Sequence, residues 1–381
     1  MPMKILLVGE YYSDNLGDPL LCQTVERLIL EAYPDARIIP FDLTGRVSKT
    51  EYYEPKTSPF WDWVTKQVYD RFLYYRRAAI MRAYDRDKMR ALRVWYRLKE
   101  LQKQHRFDLV IFAGGSLFMD YFAGMINLII RRFALSRTKV IFHACGMSTL
   151  DEDAIYLLRQ VLASRKVVSI SLRDSYDRFV ELFPTKAKVM KTYDTALNCS
   201  RLYVGSQEKT CTLGIGLIDR CYDQQLSLIR YFLGRDIRWK AFTNGSPYDW
   251  EYAAKLLADA GIPEEQLETY LEKRPETVQE LIDTVTGFEK IVAFRMHCQI
   301  VAASFGIPSC GFAWDKKIAE FYNKLGFSQG YTEGTGNFDA MWKILQQYEP
   351  EIHDRVLKQG EDSRICLIEA IAQASGEKYK D

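Results

Sequence analysis

The sequence predicts an α/β protein built of two doubly wound, Rossmann-like domains facing a cleft. Three observations carry that expectation. Short apolar runs without polar alternation recur in both halves of the chain, separated by helical patterns; this is how strands buried on both faces read. Gly, Asn, Arg, His and Asp collect directly after those runs, where ligands of open parallel sheets bind. The length of 381 residues is too great for one typical domain and suits two of about 150–200 residues.

Composition narrows the class. A chain that is 48% hydrophobic and 27% charged buries real cores, and a net charge of +2 argues against a nucleic-acid binder taken as a whole. The cysteines at 22, 145, 199, 211, 221, 298, 310 and 366 form no C-x-x-C pair and no metal-ligand spacing. They read as reduced core thiols of a cytosolic protein, and no metal site is expected. MPMKILLVGEYY has only a short apolar run before Glu10, so it reads as a first strand and not a signal peptide. No stretch approaches the roughly 18 apolar residues of a membrane helix. Tyr121–Ile130 comes nearest and stops at Arg131 and Arg132. A soluble, cytoplasmic protein is expected.

The N-terminal domain is expected over residues 1–200. Lys4–Gly9 is a buried strand followed by a polar turn through Asn15, Gly17 and Asp18. Asp18 before Pro19 has the form of an N-cap, with the helix running to about Tyr33. A structural turn and a ligand-facing βα loop both fit this pattern. Arg37–Phe41 is a second strand. The stretch 60–106 then reads as one or two long helices carrying 13 bases against five acids, interleaved with Trp61, Trp63, Tyr69, Phe72, Tyr74, Tyr75, Trp95 and Tyr96. An ordinary helical hairpin with solvated bases is one reading; peripheral contact with an anionic membrane surface is the other. Asp108–Ala113 is a strand, and Gly114, Gly115 and Ser116 follow it, where paired glycines allow a tight turn or close approach of backbone to a ligand. Lys139–Ala144 and Val167–Leu172 are further strands. Arg173 stands at the end of the latter, able to reach an anion or to pair with Asp174, while Asp174 or Ser175 caps the next helix. Lys188–Tyr193 closes the domain, and Asn198–Glu208 reads as a linker.

The C-terminal domain is expected over 209–340. Its strands are Thr212–Ile218, Ile237–Thr243, Leu267–Leu271, Lys290–Phe294 and Ser309–Ala313, with a helix over Tyr248–Ala260 and another opened by Pro275. Arg295 and His297 follow Phe294 at once; Cys298, Val301, Ala302 and Phe305 then mark one face of a short helix that Gly306-Ile307-Pro308 stops. Lys317 falls just beyond the next strand. An Arg, a His and a Lys near helix N-termini suit an anionic, phosphate-bearing substrate. Gly330–Gly336 reads as a loop. The helices of 341–381 could pack back on the first domain. His105 and His353 read as surface residues, and His143 as a strand-end residue near the cleft.

Arg295-x-His297, the apolar helix, Gly306-Ile307-Pro308, the strand and Trp314-Asp315-x-Lys317-Ile318-x-x-Phe321 together resemble the polysaccharide pyruvyl transferase family. So do Asn15-x-Gly17-Asp18, Gly114-Gly115-Ser116-Leu117-Phe118-x-Asp120, Cys145-Gly146-Met147, Ser171-x-Arg173-Asp174 and Asp194-x-Ala196. These segments span most of residues 3–327 in order. Ala144 replaces a glycine often found in the family, and Asp177 stands where serine is common; the stretch 60–106 lies outside the pattern. The resemblance implies a GT-B-like architecture. It also implies transfer of the enolpyruvyl unit of phosphoenolpyruvate to a sugar, which usually leaves a cyclic ketal.

That chemistry needs groups for a carboxylate and a phosphate, a proton for the methylene carbon and a base for the acceptor hydroxyls. His297 and Arg295 are the catalytic candidates. His297 sits where a helix's positive end disfavours imidazolium and a bound phosphate favours it, which suits a proton shuttle. Lys317 and Arg295 are the anion candidates. Asn15 and Asp18 are candidates for orienting the acceptor, and Gly114, Gly115, Ser116 and Arg173 for further substrate contacts. Phosphoenolpyruvate would be the donor substrate, with no cofactor. The acceptor would be a carbohydrate, free or lipid-linked, and no nucleic-acid partner is expected. A GT-B glycosyltransferase using a nucleotide sugar is the alternative. Many such enzymes carry two acids about eight residues apart in the second domain, whereas Asp315 is the only acid between His297 and Ala319. A non-catalytic module of a polysaccharide assembly complex is a third reading, which an intact Arg295–His297–Lys317 set disfavours.

Overall fold

The structure, a computed structural model, describes residues 2–54, 88–333 and 337–376. They divide into two units. The first gathers the described residues of 1–12, 21–194 and 363–381; the second gathers Ser13–Leu20 and Thr195–Asp362.

The first unit is built on six parallel strands, β1 (Lys4–Gly9), β2 (Arg37–Asp42), β3 (Leu109–Ala113), β4 (Lys139–Cys145), β5 (Val167–Leu172) and β6 (Lys188–Lys191), in the order β2-β1-β3-β4-β5-β6. Every residue of β3 is buried, which explains its unbroken apolar run. Leu6, Val8, Val110, Phe112, Val140 and Phe142 share one core with Val94, Leu98, Ile126, Ile129, Leu157 and Leu158 from helices Lys88–Gln104, Asp120–Arg132 and Glu152–Leu162. Phe112 and Phe142 stack with centroids 4.4 Å apart, an offset-ring contact that adds to area burial. Near the C-terminus, Ser363 donates to the Tyr193 carbonyl at 3.0 Å and Cys366 lies 3.3 Å from the Met190 sulfur.

The second unit repeats the plan with β7 (Cys211–Gly216), β8 (Trp239–Phe242), β9 (Phe288–Ala293), β10 (Ser309–Phe312) and β11 (Tyr331–Thr332), all parallel, in the order β11-β10-β9-β7-β8. Leu213, Ile215, Ala241, Val292, Phe294 and Phe312 pack with Leu228, Phe232, Leu256, Leu257, Met341 and Leu345. In each sheet the first strand lies between the second and the third. The winding therefore reverses at β1/β3 and at β7/β9, the switch points where ligands of this fold class bind.

Several local expectations are corrected. The first long helix is Gly17–Ala32, so Asp18 lies inside its first turn instead of capping it. Ser175 occupies the cap position of Tyr176–Leu182 in a left-handed conformation, φ 52°, with no side-chain cap; Asp174 bonds elsewhere. Leu267–Tyr270 is a short helix, and Leu271 contributes only an isolated bridge to Ala241. The helix expected from Pro275 begins at Val278, with the Thr277 side chain accepting from Glu280 N. Tyr331–Thr332 in the expected 330–336 loop pairs with β10. The linker begins in structure: Asn198 donates to the Gly360 carbonyl at 2.9 Å and Ser200 N to Ser304 Oγ at 2.8 Å. Within the basic stretch, Lys88–Gln104 is a helix; residues 60–87 lie outside the described residues. All eight cysteines are free thiols, and seven are buried. No described helix is long and apolar enough to cross a membrane.

Candidate active site

At the carboxyl edge of the second sheet the β7/β9 switch point brings Asp219, Asp249 and Arg295 together. Ser246 caps helix Pro247–Asp259 by accepting from Asp249 N, and Pro247 takes the first helical position, where its missing N–H is no loss. This places the buried Asp249 carboxylate under the β9 end. Its Oδ1 accepts from Asp219 N at 3.0 Å, and its Oδ2 accepts from Arg295 Nε at 3.0 Å and Nη2 at 2.6 Å. Burial pushes the Asp249 carboxyl up, and the Arg295 guanidinium opposes that shift. Arg295, 25% exposed at its side chain, is held by Nε and Nη2, with Nη1 outside the pair.

Arg295 also occupies the N-cap position of helix Met296–Ser304, with no side-chain cap, and the first turn of that helix carries no acid. His297 lies in that turn, buried to 9% exposure. Its ring rests on Gly17: a Cβ added there would come within 2.6 Å of the imidazole Cγ, and closer still to Nδ1. Gly17 opens helix Gly17–Ala32, and the loop just before it is clamped onto the end of β8. Leu16 N donates to the Asn244 carbonyl at 2.9 Å, Asn244 Nδ2 donates to Asn15 Oδ1, and Asn15 Nδ2 donates to Asp18 Oδ2 at 2.9 Å. Ser13 Oγ also donates to Asp18 Oδ2, at 3.1 Å. Gly245, at φ 97°, must lack a side chain, since a Cβ would lie 2.5 Å from Leu16 Cγ. Cys298 Sγ reaches Asn244 Oδ1 at 3.5 Å, and burial pushes this thiol up to about 12, so it stays protonated.

Lys317 stands at the neighbouring strand end, half-buried in the first turn of Lys316–Lys324, where its N–H donates to the capping Asp315 carboxylate at 3.0 Å. Trp314 closes the β10 end by donating Nε1–H to the Phe294 carbonyl at 2.7 Å.

In the first unit Gly114 and Gly115 adopt φ of 53° and 73°, a turn that only glycine makes without strain. Gly114 N donates to the His143 carbonyl at 2.8 Å and Gly146 N to the Gly115 carbonyl at 2.7 Å, with Ser116 half-buried beside them. Arg173 is buried and ion-paired to Asp194 and, at 3.5 Å, to Asp174. Asp174 also accepts from Met147 N at 2.8 Å. Of the two roles open to Arg173 in the sequence, the geometry assigns it the internal pair. His143 is a core residue, its Nδ1 3.2 Å from Ser171 Oγ and its pKa lowered by burial to about 3. His353 is half-buried, and its Nε2 meets the Ser304 carbonyl at 3.0 Å.

The second unit thus gathers Asn15, Asp18, Arg295 and His297, with Lys317 on the next strand. The first unit gathers Gly114, Gly115, Ser116 and Arg173. Sequence reasoning missed Asn244 and Asp249. Asn244 directly follows a strand, a detectable signal; Asp249 reads only as a first-turn helix acid. Among the described residues no group of three or more His, Cys, Asp or Glu could hold a metal.

A family model described as polysaccharide pyruvyl transferase matches residues 15–316. No curated protein matches. Among solved structures, a UDP-N-acetylglucosamine 2-epimerase is similar over 100% of both chains, with 11% identity and a TM-score of 0.57. A putative UDP-N-acetylglucosamine 2-epimerase from Listeria monocytogenes gives 11% identity and a TM-score of 0.58 over 100% of this chain and 99% of that one. These likenesses give a GT-B-like fold and nothing finer.

Proposed function

The chain belongs to the polysaccharide pyruvyl transferase family, and from that premise we propose that it moves the enolpyruvyl unit of phosphoenolpyruvate onto sugar hydroxyls of a cell-surface polysaccharide or its precursor, forming a pyruvate ketal. The observation that supports this reading is the placement of His297 on Gly17, two residues from an Arg295 held by buried Asp249.

Phosphoenolpyruvate brings a carboxylate and a phosphate. Arg295, its plane set by Asp249, offers fixed N–H donors to one of them, and Lys317 offers a point charge at the next strand end. In the reaction one sugar oxygen bonds to C2 as a proton adds at C3. Phosphate then leaves C2, and the second sugar oxygen bonds there. Two hydroxyl protons are given up; one replaces that added at C3 and the other leaves with phosphate. His297 is the group that takes and returns them. Asn15 and Asp18, joined by a hydrogen bond of 2.9 Å, orient the acceptor diol.

The test follows radiolabel from phosphoenolpyruvate into the saccharide fraction together with released phosphate. The wild type should transfer label into an acid-labile adduct with matching phosphate, and His297→Asn should lose at least about 100-fold in turnover. Transfer from a nucleotide sugar without use of phosphoenolpyruvate would overturn the proposal.

A further inference from the structure

Helix Lys88–Gln104 buries Ala91, Val94, Leu98 and Leu101 against the first sheet. Arg90, Arg93 and Arg97 repeat the same three- and four-residue spacing one position earlier, so they share the adjoining face. Each lies over a tyrosine. Arg90 Cζ is 3.6 Å from the Tyr121 centroid, Arg93 Cζ 4.2 Å from Tyr52 and Arg97 Cζ 5.6 Å from Tyr53. Arg46 comes to Tyr52 as well, at 5.4 Å. Tyr52 is 39% and Tyr121 49% exposed. Glu100, the one acid of this helix, meets Arg97 at 3.6 Å.

We propose that this arginine–tyrosine face binds the anionic surface of a lipid bilayer. A guanidinium lying on a ring is held there by its flat face and brings a fixed positive charge to a phosphate. Exposed tyrosines beside such cations have an apolar body and a polar tip, the chemistry suited to the headgroup level. At 1.5 Å per residue Arg90 and Arg97 stand about 10 Å apart. That is too far to close on one phosphate, so the row fits an array of headgroups. Residues 88–106 carry seven bases and one acid in a chain of net charge +2, so the positive field is local and orients the protein on the surface. This inference stands apart from the pyruvyl-transfer reading.

Flotation tests it, with vesicles of equimolar phosphatidylcholine and phosphatidylglycerol set against phosphatidylcholine alone. The wild type should float with the anionic vesicles only and be released by salt. Arg90→Gln/Arg93→Gln/Arg97→Gln should lose about 100-fold in partitioning, roughly fivefold per arginine. Lys255→Gln/Lys273→Gln, exposed positions of the second unit, should float as the wild type does. If the triple variant fails to fold, each single substitution should still show its fivefold loss. Equal flotation of wild type and arginine variants, or none, overturns the proposal. Retention on an acidic polymer without flotation also overturns it and assigns the face to that partner.

Discussion

The imidazole of His297 rests on the backbone of Gly17, so closely that a Cβ at position 17 would lie 2.6 Å from its Cγ. Gly17 is not in a left-handed conformation, so glycine is needed there for approach and not for its φ. The first residue of helix Gly17–Ala32 thereby fixes the position of the proposed proton shuttle.

Gly17→Ala should therefore act on the chemistry more than on the fold. The added methyl displaces the ring by about 1 Å, a misplacement that can lower kcat roughly 100-fold. Overpacking should lower stability by about 1–3 kcal/mol. Turnover measured beside a denaturant melt checks both. Wild-type turnover in Gly17→Ala would contradict the placement.

Arg295→Ala should be markedly destabilising, because it leaves the buried Asp249 carboxylate with only the Asp219 N–H. Losing one partner of such a pair costs about 3 kcal/mol or more. Arg295→Gln/Asp249→Asn removes both charges and should recover much of that loss. A double-mutant cycle on urea melts reads the coupling.

His143 should make the first unit acid-sensitive. Burial holds its folded pKa at about 3, below the ordinary value near 6.5. The unfolded chain then binds the extra proton, so stability falls as pH drops from about 6.5 towards 3. Between pH 6.5 and 4.5 the loss is about 2.3 kcal/mol from this group. Urea melts across that range should show the slope in the wild type and its absence in His143→Asn.

Arg173 should behave as a structural residue. Arg173→Gln leaves Asp174 and Asp194 buried without their shared cation, a change worth about 3 kcal/mol of stability. The KM for phosphoenolpyruvate should stay within about twofold of wild type in the folded fraction, since uniform binding is untouched.

What the sequence made legible follows the range of the forces involved. The strands were readable because burial on both faces erases polar alternation locally, as in Leu109–Ala113. The position of Arg295 and His297 at a strand end was readable because the apolar run before them stops abruptly, and they follow β9. The Asp249–Arg295 pair was not, since it joins residues 46 apart in the chain. The loop through Asn15 read as part of the N-terminal domain, yet its hydrogen bonds to Asn244 group it with the second unit. Leu267–Leu271 has a strand-like apolar content, but the turn opened by Pro263 winds it into a helix. Ala144 stood out as a replaced glycine, and its φ of 51° is the conformation glycine adopts most freely.

Thermal stabilisation by phosphoenolpyruvate, set against a panel of nucleotide sugars, tests the central claim most directly. A ligand of the native state at one hundred times its Kd adds about 2.7 kcal/mol. The account predicts that shift with phosphoenolpyruvate on the wild type and its loss in Arg295→Gln/Asp249→Asn. A shift with a nucleotide sugar and none with phosphoenolpyruvate would contradict it.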